Sequence, residues 1–82
     1  MIKGKNKMWT HGKLNGYQYD IKHFDTGSVF GINGGRISKL TIRRVGRTGA
    51  ISNDLCNYDR GWDVKPCKEV KAVYKELLKP YN

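Results

Sequence analysis

Met8-Trp9-Thr10-His11-Gly12-Lys13-Leu14-Asn15-Gly16-Tyr17-Gln18-Tyr19-Asp20-Ile21-Lys22-His23 carries Asn-Gly at its centre and alternating side chains on both sides of it. A two-residue type I′ turn needs positive φ at both central positions, and Asn15-Gly16 supplies it at low cost. With those two as the loop, Leu14 faces Tyr17, Gly12 faces Tyr19, Thr10 faces Ile21 and Met8 faces His23 on one side. Lys13/Gln18, His11/Asp20 and Trp9/Lys22 fall on the other. One side is mainly apolar and the other polar, as in a hairpin with one face on a core and one in water. Trp9 is the large apolar residue left on the polar face.

Downstream, Arg36 to Val45 has two readings. As a helix it aligns Ile37, Leu40 and Thr41; as a strand it turns Leu40 and Ile42 inward and Lys39, Thr41 and Arg43 outward. The β-branched Ile37, Thr41, Ile42 and Val45 and the flanking glycines favour the strand. Gly46-Arg47-Thr48-Gly49 reads as a turn into a short extended piece at Ala50-Ile51. Tyr58-Asp59-Arg60-Gly61-Trp62 holds a further turn signal, with Leu55 to Tyr58 or Trp62 to Val64 extended around it. Pro66 opens a helix predicted over 66–79, with Cys67, Val70, Val73, Tyr74, Leu77, Leu78 and Tyr81 at three- and four-residue spacings and Pro80 as its stop. So short a helix is marginal alone and must dock on the sheet. The expected fold is therefore α+β: a small antiparallel sheet of three to five strands with one C-terminal amphipathic helix packed on a face.

Eighty-two residues fit a single domain, 1–82, in which residues 1–7 form a basic N-terminal arm, flexible or an edge strand. That arm is polar and no long apolar run follows it, so neither a secretory signal nor a membrane partner is expected, and the protein is placed in the cytoplasm. Cys56 and Cys67 lack the paired spacing of zinc ligands and read as free, partly buried thiols. No metal and no cofactor is expected. The net charge of +9 is uneven: residues 1–49 hold ten Lys/Arg against two acids, the remainder six against five. Such an excess points to a polyanionic partner or serves solubility. The sequence leaves the oligomeric state open.

In "KHFDTGSVFGINGGRISKL" (22–40) and "NYDRGWD" (57–63), followed by the amphipathic helix, the chain resembles a family of small uncharacterised proteins of low-GC Gram-positive bacteria and their phages or mobile elements. The resemblance implies a stand-alone domain in a phage or mobile-element setting and carries no function with it. Gly31-Ile32-Asn33-Gly34 also fits the G-x-x-G loop of RNA-binding KH domains. However, Ser28-Val29-Phe30 leaves no room for the helix that precedes such a loop.

"FGINGGR" (30–36) lacks the Gly-Lys-Ser/Thr ending of a P-loop, and its glycines suit a turn. Successive N–H groups at Gly31, Gly34 and Gly35 would also suit an anion nest. Arg36, Lys39, Arg43, Arg44 and Arg47 follow without an intervening acid, and a solvated face normally mixes signs, so this run is the prime candidate for contact with an anion. Lys13 and Lys22 extend it from the hairpin, and Trp9 beside Lys22 suits stacking on an unpaired base. Lys68, Lys71, Lys75 and Lys79, diluted by Glu69 and Glu76, read as a solvated helix face. His11 opposite Asp20, with His23, is the pair closest to an acid–base group. The leading expectation is a non-enzymatic module that contacts RNA or DNA phosphates through the basic face. The alternatives are a phage or mobile-element inhibitor or adaptor on a host protein or nucleoprotein, and a small metal-independent ribonuclease.

Overall fold

Asn15 and Gly16 take φ of 53° and 84°, and the chain doubles back there. Strand β1 (Met8–Leu14) pairs antiparallel with β2 (Tyr17–His23) in the register the turn dictates, from Leu14 opposite Tyr17 to Met8 opposite His23. The structure is a computed structural model and describes residues 8–81; the arm expected over 1–7 lies outside the described residues. Gly12, an unusual strand residue, has its reason across the ladder. A Cβ there would stand 2.6 Å from the Tyr19 hydroxyl oxygen, so the absent side chain makes room for the Tyr19 ring.

The segment with two readings is a strand, β3 (Ile37–Arg44), antiparallel to β2. Lys22 lies opposite Lys39 but His23 lies opposite Ile37, so Ser38 is an extra residue in the ladder. This bulge resets the alternation. Ile37 thereby joins Leu40 and Ile42 in the core, all three at 0% exposure, while Lys39 stays outside. Ala50-Ile51 contributes a single bridge from Ile51 to Val45. Strands β4 (Cys56–Asp59) and β5 (Trp62–Val64) complete a five-stranded antiparallel meander in sequence order. Arg60 adopts φ 58° in the turn between them.

The helix is shorter than 66–79. Residues Lys68–Val70 make a 3₁₀ turn that runs into α1 (Lys71–Leu78). Cys67 remains extended, with ψ 168°, because its N–H donates to Leu55 O at 3.3 Å, which holds the preceding chain against the sheet. Cys67 is consequently exposed, and only Cys56 is a buried thiol. Val70, Val73 and Leu77 bring the helix's apolar face into one core with Ile21, Ile37, Leu40, Ile42, Cys56 and Tyr58 of the sheet and with Ile32 of the loop before β3. Each buried aliphatic side chain contributes about 1.5–3 kcal/mol. Edge-to-face rings extend the contact, Tyr58–Trp62 at 4.9 Å and Trp62–Tyr74 at 5.7 Å. All of this packing lies on one side of the sheet.

Candidate nucleic-acid interface

With the helix on one face, the alternation along each strand assigns the rest to the other. Three transverse rows of side chains cross that outer face. Lys13, Gln18 and Arg43 stand in register at one end, and His11, Asp20, Thr41 and Asn57 in the middle. Trp9, Lys22, Lys39 and Asp59 stand at the other end. Of the residues singled out from the sequence, Trp9, Lys13, Lys22, Lys39 and Arg43 thus share one surface. Arg36 and Arg44 do not, and Arg47 sits in the exposed turn after β3.

Arg36 and Arg44 hold the helix at its two ends. Arg36 reaches past the C-terminus, donating to the carbonyls of Pro80 and Tyr81 and lying 5.4 Å from the centre of the Tyr81 ring. These carbonyls lie beyond Leu78, and a cation just past the C-terminus of a helix complements its dipole. Arg44 makes a forked pair with Glu69 in the first turn, Nε to Oε2 at 2.7 Å and Nη2 to Oε1 at 2.8 Å. The Tyr17 hydroxyl donates to the same carboxylate at 2.8 Å. The Arg44 and Tyr17 hydrogen bonds, in that order, pull the Glu69 carboxyl from 4.5 down to about 2. Because the folded value is depressed, the contribution of this clamp is complete above the ordinary carboxylate value and lost as pH falls toward about 2. Arg44→Gln is therefore expected to lower the melting temperature at pH 7, and to do so much less at pH 2. Melting curves of both proteins across that range check it; a gap independent of pH would rule out the clamp.

Between Arg36 and Arg47 the sequence has no acid, but the fold imports several. Arg43 Nε lies 2.6 Å from Asp54 Oδ1 and Nη1 3.7 Å from Asp20 Oδ2, while Lys39 Nζ is 3.7 Å from Asp59 Oδ1. The expected uninterrupted basic stripe is thus divided between two faces and partly neutralised by residues distant in the chain. Arg43 is the more committed of the two; the long, half-exposed Lys39–Asp59 pair contributes little and can be exchanged for another anion. Lys13 and Arg47 are exposed. Lys22 and Lys39 face each other directly across β2 and β3, an arrangement that like charges disfavour.

"FGINGGR" proves to be a closed turn. The N–H groups of Gly31, Gly34 and Gly35 donate to the carbonyls of Ser28, Gly31 and Ile32 at 3.0, 3.0 and 2.9 Å. The amides an anion nest would need are committed within the loop. Ile32 is 1% exposed and anchors it. Tyr58 ties the loop to the sheet through its hydroxyl, 2.7 Å from Phe30 O.

His11 and Asp20 do meet, Nδ1 to Oδ1 at 2.6 Å. His23, which the acid–base reading would add, is on the opposite face, 7% exposed and packed 4.5 Å from the Tyr81 ring. Burial first, then the Arg36 charge, lowers the His23 pKa and so favours the neutral ring. The two histidines cannot act on one substrate from opposite sides of a sheet. Burial likewise pushes the Cys56 thiol up to about 12, which makes it unreactive. Among the described residues no group of three His, Cys, Asp or Glu side chains stands close enough to hold a metal ion, and no helix is long and apolar enough to cross a membrane.

The arrangement missed from the sequence is the pairing of Trp9 with His11. Their rings lie 5.8 Å apart and 5° from parallel, and the two-residue spacing along one strand was its available signal. No curated protein and no solved structure matches the chain. A family model does: residues 8–82 match the domain of unknown function DUF7678, and the chain belongs to that family.

Proposed function

We propose that the outer face of the sheet binds nucleic acid through its phosphates, as a non-enzymatic module. The observation that carries this reading is the Lys22–Lys39 pair, set side by side on a face that the helix leaves open. A phosphate bound at this pair would gain two attractions, with Lys39 exchanging its long contact to Asp59 for the ligand. Lys13 at the other end of the face and Arg47 in the turn beyond it supply further exposed cations. Phosphate contacts give affinity rather than sequence preference.

The test is fluorescence anisotropy with labelled single-stranded RNA, single-stranded DNA and duplex DNA at several salt concentrations. Three to four neutralised phosphates correspond to a log–log salt slope of about −3. Failure to bind any of them at low salt would end the reading. Intact RNA after incubation is expected, and its cleavage by a preparation that loses the activity in His11→Ala would favour the ribonuclease alternative instead.

A second reading has its own observation. Val29 and Phe30 are 89% and 60% exposed on the well-tied loop before β3, where an inhibitor or adaptor from a phage or mobile element would dock on a host protein. On that reading a nuclease-resistant complex from host lysate survives Lys22→Glu and is lost in Phe30→Ser.

A further inference from the structure

The outer face carries an aromatic ledge at its β1 edge. Trp9 and His11 project from the same side of the strand with nearly parallel rings, and Trp9 is 50% exposed. Among the described residues β1 is an edge strand, with no further described strand of the sheet beyond it. The imidazole is held from the other side: Asp20 Oδ1 is 2.6 Å from Nδ1, and Asp20 is itself steadied by Arg43 at 3.7 Å. A half-exposed indole beside an imidazole tethered to Asp20 is a flat aromatic surface. In register with Trp9 stand Lys22 and then Lys39, one and two strand spacings away, about 5 and 10 Å.

We infer that Trp9 and His11 stack an unpaired base while Lys22 and Lys39 hold the adjoining phosphate, which makes the face selective for single-stranded over duplex nucleic acid. The inference rests on the reading above that this face binds nucleic acid. In a duplex each base is covered by its neighbours and offers only an edge in a groove, so the ledge has nothing to stack on. In a single strand any base presents a π-face, and the stacking is tolerant of sequence. The ledge thus supplies selectivity for the unpaired state, and the lysines supply salt-dependent affinity.

The experiment compares wild type, Trp9→Ala and Trp9→Phe with labelled single-stranded RNA, single-stranded DNA and a duplex of equal phosphate count, at one salt concentration and then across several. Melting curves confirm that each variant folds, as the exposure of Trp9 allows. The single strands should bind tighter than the duplex by roughly tenfold to a hundredfold, the range expected of one stacked base. Trp9→Ala should remove that preference without changing the salt slope, and Trp9→Phe should keep most of it. Quenching of tryptophan emission by single strands, absent in Trp9→Ala, is the second readout. The RNA and DNA arms show which sugar the face accepts. Equal affinity for single strands and duplex, or a preference that survives Trp9→Ala, overturns the ledge and leaves phosphate binding standing. Binding of none of the three overturns both.

Discussion

Alanine at position 31 is expected to cost about 3 kcal/mol, the upper end for overpacking, and to lower the melting temperature by on the order of 10–20 °C. Its Cβ would overlap Gly35 O and stand 2.9 Å from the carbonyl carbon of Gly35. Both obstacles are backbone, so no side chain can swing away. Relief requires opening the turn that buries Ile32 and carries the chain into β3. Two other glycines serve as controls. Gly34 has open space around its Cα but φ +73°, so alanine there costs about 1–2 kcal/mol in left-handed strain. Gly61 has neither obstacle nor positive φ and should tolerate alanine with almost no change. Thermal and denaturant melts of the three variants give the ranking. A Gly31→Ala protein as stable as wild type but unable to bind nucleic acid would return "FGINGGR" to the candidate site and refute its assignment as a structural turn.

The same loop shows which features a sequence can reveal. The hairpin register was legible because it depends on two adjacent residues, Asn15 and Gly16, and on an alternation only a few positions long. The helix face was legible for a similar reason, since Val70, Val73 and Leu77 repeat within one element. What was hidden came from pairing across the chain. The bulge at Ser38 arises where β2 and β3 fall out of step, and nothing near Ser38 announces it. The basic run from Arg36 to Arg47 looked unopposed because its acids, Asp20, Asp54, Asp59 and Glu69, stand outside it in sequence. Strand alternation could have separated Arg43 from Arg44. It could not have assigned Arg44 to Glu69 or Arg36 to the carbonyls after the helix, because those contacts depend on where the helix docks.

The division between the faces gives a crossed prediction for charge reversal. Lys22→Glu removes one cation from the proposed phosphate site and adds an anion. Near 0.1 M salt this should weaken binding by roughly a hundredfold and make the log–log salt slope shallower by about 2. A glutamate opposite Lys39 also replaces a like-charged cross-strand pair with an opposite one, an arrangement favourable by about 0.2–1 kcal/mol, so the effect on the melting temperature is expected to be smaller than that of Arg44→Glu. Arg44→Glu should do the reverse. It sets a second carboxylate against Glu69 and Tyr17 on the helix face, lowering the melting temperature, while nucleic-acid affinity falls only by the long-range effect of charge, which salt screens. Melting curves and salt titrations on both variants complete the comparison. Reversing Arg43 and Arg44 together would confound the two effects, since one lies on each face. If Lys22→Glu binds as wild type does, the outer face has no role with nucleic acid. If the crossed pattern holds, the lysines set side by side on the outer face act in binding, and Arg44 acts in holding the helix.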